Sequence, residues 1–266
     1  MVLLQNRPVD IKHFPDGALL LKETVQDAPK DNEILIKWNY ENNEELLVVY
    51  FITEHIKSQG YENIVLEMPY IPNARQDRVK NKEDVFTLKY FAQLINSLGY
   101  REVRVLDAHS SVSTALIDRV KNISPADYIE RVIRNIEQKT KSTPLMFYPD
   151  EGAGKRYSGM ITAPYCFGIK KRDWETGEIK GLDVAGQTEL IKGKDILMVD
   201  DICSYGGTFL FSAERLREMG AKSIYIFVSH CENSVLNGRL LSSGLITKIF
   251  TTDSIFSKEH GLIEVI

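Results

Sequence analysis

Short, almost wholly apolar runs recur along this chain, and several of them end on a carboxylate. The clearest are "VRVLD" (Val103 to Asp107), "LMFYPD" (Leu145 to Asp150), "DILMVDD" (Asp195 to Asp201) and "ITKIFTTD" (Ile246 to Asp253). A strand that is apolar in every position must be covered on both faces, which is the situation of a parallel sheet packed under helices. Helical patterns separate the runs. Glu44 to Lys57 is apolar over most of a helical circumference, and Leu88, Phe91, Ala92, Ile95 and Leu98 mark one face that closes at Gly99. Ser124 and Pro125 open a helix with the stripe Ile129, Val132, Ile133 and Ile136, and another is expected over about residues 209–219 before Gly220. "LMFY" is expected to run into a glycine-containing turn, and "KKRDWETGEIKG" (Lys170 to Gly181) reads as a polar excursion.

The fold class expected is therefore α/β, with two similar domains, each a mostly parallel sheet flanked by helices. The first is placed at residues 1–125 and the second at 126–249, with a tail of about 250–266 free to pack back on the first. Ligands of open α/β sheets gather at the carboxyl ends of the strands. Those ends carry Asp107 with His109, Asp150 with Glu151, Asp200 with Asp201, and Asp253.

Composition narrows the partners. The chain has 266 residues, 33 of them Lys or Arg and 37 Asp or Glu, for a formal charge of -4. No basic block is present, so neither nucleic acid nor an anionic membrane surface is expected as a partner. Three well-separated cysteines, Cys166, Cys203 and Cys231, suit neither a disulfide framework nor a zinc site and point to a reducing, cytoplasmic setting. No apolar run approaches the ~20 residues of a membrane span.

The stretch "ILMVDDICSYGGTF" (Ile196 to Phe209) carries the most chemistry. Gly206, Gly207 and Thr208 feed a helix, offering backbone N–H groups and a hydroxyl at the positive end of its dipole, where a phosphate fits. Asp200 and Asp201 would repel that phosphate, so they are assigned to hydroxyl groups or a cation beside it. A phosphate next to vicinal hydroxyls is a sugar phosphate. The spacing of a P-loop is absent.

This stretch resembles the phosphoribosyl-diphosphate-binding signature of the type I phosphoribosyltransferase fold, and "MPYIPNARQDR" (Met68 to Arg78) resembles the ATP-binding signature of the ribose-phosphate diphosphokinases, or phosphoribosyl pyrophosphate synthetases. Further matches to that family follow its order: "HFPDG" (His13 to Gly17), "LDAHS" (Leu106 to Ser110), "YPDEGA" (Tyr148 to Ala153), "IKKR" (Ile169 to Arg172) and "TTDSI" (Thr251 to Ile255). The resemblance implies transfer of the diphosphoryl group of ATP to the C1 hydroxyl of ribose 5-phosphate, giving 5-phosphoribosyl 1-diphosphate and AMP. It implies Phe14, Asp16, Arg75, Gln76, Asp77 and Arg78 as ATP-binding residues, Phe14 and Asp16 reaching adenine from a neighbouring subunit of an oligomer that is at least a dimer. Asp200, Asp201, Ser204, Tyr205, Gly206, Gly207 and Thr208 would bind ribose 5-phosphate, His109 and Asp150 would hold Mg²⁺, and Lys171 and Arg172 would be catalytic.

The chain also departs from the family pattern. Ser204 stands where the family has an acid, Tyr205 where a small hydroxyl residue is usual, Ala18 where an adenine-facing glutamate is frequent, and Asp173 where a second loop arginine is found. Two other readings accompany the enzyme: a non-catalytic synthetase-associated protein that binds nucleotide, and a phosphoribosyltransferase, which would leave the "ARQDR" half unexplained.

Overall fold

The computed structural model describes residues 1–23, 25, 29–172 and 179–266, with residues 170–172 and 179–180 described as backbone only. It divides into two compact units, Met1–Ser124 and Pro125–Ile266.

The first unit contains β1 (Val2–Leu4), β2 (Arg7–Pro8), β3 (Ile11–His13), β4 (Leu19–Leu21), β5 (Ile34–Trp38), α1 (Glu44–Ser58), β6 (Ile64–Glu67), α2 (Thr87–Ser97), β7 (Glu102–Leu106), α3 (Ser111–Leu116) and β8 (Val120–Ile123). Its main sheet has the order β2-β1-β5-β6-β7-β8, parallel from β5 to β8, while β3 and β4 form a separate hairpin. Each crossover from β5 onward steps in the same direction across the sheet. Right-handed connections then put their helices on one face. The core agrees: Ile34, Ile36, Ile64, Leu66, Val103 and Val105 share one cluster with Val48, Val49 and Ile52 of α1 and with Leu88, Phe91 and Ile95 of α2. Strand alternation sends the intervening residues to the opposite face. There Lys37, Glu67 and Arg104 stand side by side in register, with Lys37 3.4 Å from Glu67 and Arg104 paired with both Glu33 and Glu102.

The second unit contains α4 (Ala126–Thr140), β9 (Leu145–Tyr148), α5 (Glu151–Tyr157), β10 (Tyr165–Arg172), β11 (Ile179–Gly186), β12 (Asp195–Cys203), α6 (Gly207–Glu218), β13 (Ser223–Cys231), β14 (Lys248–Thr251) and β15 (Ile263–Val265). The seven strands take the order β11-β10-β9-β12-β13-β14-β15, all parallel except β11. Here both faces are apolar. Leu145, Phe147, Ile196, Met198, Ile224 and Ile226 pack with Phe209, Leu210, Ala213 and Leu216 of α6. Met146, Tyr148, Leu197, Val199, Tyr225 and Phe227 pack with Ile129, Val132 and Ile136 of α4 and with Ala153 and Tyr157 of α5. This two-sided burial is why the runs read as continuous hydrophobic strands.

One expectation is corrected. The glycine-containing turn after β9 is instead the start of α5, which Asp150 caps by accepting a hydrogen bond from the Ala153 amide at 3.0 Å. The closing strand Ile263–Val265 pairs with β14 and forms the edge of the second unit's sheet.

Candidate functional site

The strand order of the second unit reverses between β9 and β12. From β9 the chain passes through α5 to β10 on one side, and from β12 it passes through α6 to β13 on the other. Because the two connections leave in opposite directions, no helix closes over the carboxyl ends of β9 and β12, and a crevice opens there. The residues beside it are Asp150 after β9, Asp200 and Asp201 near the end of β12, and residues 204–208 leading into α6.

Alternation along β12 turns Asp200 and Asp201 to opposite faces. Asp201 is buried and meets the α5 side, where a guanidinium nitrogen of Arg156 lies 3.1 Å from its Oδ2. Asp200 accepts a hydrogen bond from the Asp201 amide at 2.9 Å. Burial pushes its carboxyl well above the usual carboxylate range, and the negative charges of Asp201 and Asp150 push it further. Three carboxylates within electrostatic reach of one another make a place that favours a cation or donated hydroxyls over a bare phosphate. Among the described residues, no set of three or more His, Cys, Asp or Glu side chains is arranged as a preformed metal cage.

The loop after β12 has the opposite character. Gly206 has φ of 80°, in the left-handed region, and a Cβ there would lie 2.7 Å from a methyl of Leu240. Gly207 faces open space. It begins α6, so its amide and its neighbours point away from the helix unbonded within it, the arrangement that receives anions. Tyr205 is exposed at 61 %, and its carbonyl is so close to Gly238 that a Cβ on the glycine would sit 2.0 Å from the oxygen.

Sequence reasoning passed over three residues of this region. Arg156 shares α5 with the capping Asp150. Gly238 supports the loop from behind. Glu232 supplies a carboxylate beside the position where the resemblance leads one to expect an acid: the hydroxyl of Ser204 donates to Glu232 Oε2 at 2.7 Å, and Ser234 donates to the same oxygen at 3.0 Å. Arg156 lies three residues beyond the "YPDEGA" stretch and could have been found from its charge; Glu232 and Gly238 carry no local signal. Cys203 and Cys231 face each other across β12 and β13. A hydrogen bond between their thiols, together with burial, raises the Cys203 thiol well above the usual thiol range and so disfavours its thiolate.

In the first unit the strand β7 ends at Leu106, and Asp107 then takes a left-handed conformation with φ of 45°. His109 and Ser110 follow. Asp77 is buried, and its carboxylate is held below the usual range first by the Arg78 Nε at 2.8 Å, and also by the Ser110 hydroxyl and by the nearness of His109. The "ARQDR" and "DAHS" segments are thus tied together through Asp77, which faces inward; Arg75, Gln76 and Arg78 are exposed. Gln76 accepts a hydrogen bond from Thr87 at 2.6 Å. Phe14, half exposed, sits on the turn between β3 and β4, where Asp16 accepts from the Ala18 amide at 3.0 Å. The catalytic expectations Lys171 and Arg172 fall on the backbone at the end of β10, and their side chains lie outside the described residues. A cleft of about 750 Å³ lies elsewhere in the second unit, at the opposite end of β10. Ser158, Thr162, Tyr165 and Gln187 line it, and it holds no ionisable group able to meet a phosphate.

Comparison with known families matches residues 3–99 to the N-terminal domain of ribose phosphate pyrophosphokinase and residues 158–260 to the phosphoribosyl transferase domain. The ribose-phosphate pyrophosphokinase of Thermococcus kodakarensis is 30% identical over 229 residues, which are 84% of this chain and 77% of that protein. The chain belongs to the ribose-phosphate pyrophosphokinase family. The pyrophosphokinase of Sulfolobus acidocaldarius is 29% identical over 263 residues, 95% of this chain and 87% of that one. In fold, the phosphoribosylpyrophosphate synthetase of Mycobacterium smegmatis superposes with a TM-score of 0.79 at 19% identity, covering 97% of this chain and 85% of its own. As a ribose-phosphate pyrophosphokinase the chain is an enzyme of the transferase class. No helix among its described residues is long and apolar enough to cross a membrane.

Proposed function

We propose that this pyrophosphokinase transfers the β,γ-diphosphoryl group of ATP to the C1 hydroxyl of ribose 5-phosphate and releases AMP. The observation that carries the reading is the composition of the crevice between β9 and β12: an anion-receiving loop at 204–208 directly follows carboxylates that suit sugar hydroxyls. Phosphoryl transfer needs little covalent chemistry from a protein; it needs in-line positioning and neutralised oxygens. The amides at 206–208 and the Thr208 hydroxyl would seat the 5-phosphate, and Asp200 and Asp201 would accept from the ring hydroxyls. Arg75, Gln76 and Arg78 would meet the nucleotide, with Asp77 orienting Arg78 and Ser110 from behind.

His109 on the first unit and Asp150 on the second would each offer Mg²⁺ a donor of a kind it accepts, and the ion would supply charge neutralisation on phosphate oxygens when bound. Lys171 and Arg172 would bring positive charge to the transferring group. Phe14, half exposed on its hairpin, supports an adenine contact made across a subunit boundary, so the working form is at least a dimer. Three buried free thiols support a reducing, cytoplasmic setting.

The match of residues 3–99 to the pyrophosphokinase N-terminal domain leaves a plain phosphoribosyltransferase without a use for that half. The deciding experiment follows AMP from ATP with Mg²⁺. Release that requires ribose 5-phosphate establishes the reaction. Nucleotide binding without AMP release at any Mg²⁺ concentration establishes the non-catalytic alternative.

A further inference from the structure

Arg156 belongs to none of the groups assigned above, yet it forms an ion pair with an acid of the β9–β12 crevice. It sits on the last turn of α5, the helix that Asp150 caps, and its side chain is only 24% exposed against 6% for Asp201. Its nitrogen lies 3.1 Å from Asp201 Oδ2 and 3.5 Å from the Tyr157 hydroxyl, and its guanidinium stands 5.6 Å from the Tyr157 ring. Tyr157 itself is fully buried in the core beneath the sheet. The arginine is therefore anchored by packing and directed at one oxygen of one carboxylate.

This arrangement has a physical requirement behind it. Asp201 is buried beside a second carboxylate, and an unpaired charge there would be strongly unfavourable. A guanidinium answers the charge, and its rigid fork of N–H groups restricts the direction from which the carboxylate oxygen is met more than a point charge would. With Oδ2 committed to Arg156, the orientation of Oδ1 is set by the helix–strand pair rather than by the ligand.

We propose that Arg156 is a positioning residue for sugar recognition, which holds the Asp201 carboxylate in the orientation that accepts a hydroxyl of the sugar phosphate. The inference rests on the reading of this crevice as the ribose 5-phosphate site. It assigns Arg156 no contact with the nucleotide and no part in the transfer step.

The test is calorimetric binding of ribose 5-phosphate, in the presence of Mg²⁺ and α,β-methylene-ATP, to the full chain and to Arg156→Gln, Arg156→Lys, Asp201→Asn and the Arg156→Gln/Asp201→Asn double variant. Expected results are a loss of ten-fold or more for Arg156→Gln, a smaller loss for Arg156→Lys, and binding of the ATP analogue within two-fold throughout. In the Asp201→Asn background, removing Arg156 should change binding by less than two-fold, because the group it acts through is gone. Should Arg156→Gln fail to fold, the same comparison is made with Arg156→Lys, alone and in the Asp201→Asn background. Binding equal to wild type in the Arg156 variants overturns the proposal, and so does an equal loss in both backgrounds, which would mark a direct ligand contact. No binding of ribose 5-phosphate to the unaltered chain overturns the reading of the crevice, and this inference falls with it.

Discussion

Gly238 offers the sharpest perturbation, because its demand is purely spatial. Its φ of -88° and ψ of 169° suit any residue, so alanine introduces no backbone strain of its own. A Cβ there would nonetheless lie 2.0 Å from the Tyr205 carbonyl oxygen and 2.9 Å from its carbon, and both atoms are backbone. Contacts closer than 3.0 Å are essentially never made, so the loop must retreat by about 1 Å or Gly238 must. Forcing extra volume into a packed contact costs about 1–3 kcal/mol. At roughly 2–4 °C of melting temperature per kcal/mol, Gly238→Ala is expected to melt several degrees lower. The catalytic consequence is larger in proportion. Tyr205 immediately precedes the amides proposed to hold the 5-phosphate, and a misplacement of about 1 Å near a reacting substrate can cost ~10²-fold. The assay is steady-state AMP release with ribose 5-phosphate varied at saturating ATP, then with ATP varied, alongside thermal melting. Expected is a ~10²-fold fall in kcat/KM for ribose 5-phosphate with the ATP KM within two-fold. A variant that melts with wild type and keeps its sugar KM would refute the argument that Gly238 shapes the loop.

Three further outcomes are expected. Asp201→Asn should weaken ribose 5-phosphate use far more than ATP binding, since only the sugar end is touched; equal losses in the two KM values would remove Asp201 from its assignment. Lys171→Ala should lower kcat by ~10²-fold or more with an unchanged melting temperature, the effect of losing one transition-state donor, and an unaltered rate would exclude the residue from the chemistry. Asp200 has a folded pKa raised by burial, so its folded state favours the proton: its contribution is most favourable below the ordinary carboxylate pKa and is lost as pH rises through the raised value. Asp200→Asn should therefore raise the melting temperature at neutral pH, with the gain shrinking towards pH 4; a pH-independent difference would mean that ionisation of Asp200 is not what costs stability.

The chemistry was more legible than the architecture around it. β9, β12 and β13 could be read because both their faces are buried, which leaves a contiguous apolar signature, and the acids and glycines at the mouth of β12 stand next to one another in sequence. Strands β1 to β4 run two or three residues each, too short for any periodicity to register. α5 was missed because Gly152 and Gly154 depress helix propensity, while what makes it a helix is the cap from Asp150 and the burial of Ala153 and Tyr157, a tertiary effect. The partnerships of Arg156 with Asp201, Ser204 with Glu232 and Tyr205 with Gly238 join separate elements and exist only once β9, β12 and β13 lie side by side. Asp77 is assigned to ATP with the rest of its motif, through the resemblance; its burial against Arg78 and Ser110 depends on where β7 ends, which no local pattern in the sequence shows.

The row of Lys37, Glu67 and Arg104, on the face of the first unit's sheet away from α1 and α2, has a bearing on how that sheet assembles. Parallel strands of Ile, Val and Leu are nearly interchangeable partners, and little in their aliphatic side chains distinguishes one alignment from the next. Sliding β6 by one residue against β5 would carry Glu67 under the helices and leave Lys37 without its neighbour. The charges thus act as an alignment mark, penalising the slipped sheet more than they strengthen the correct one.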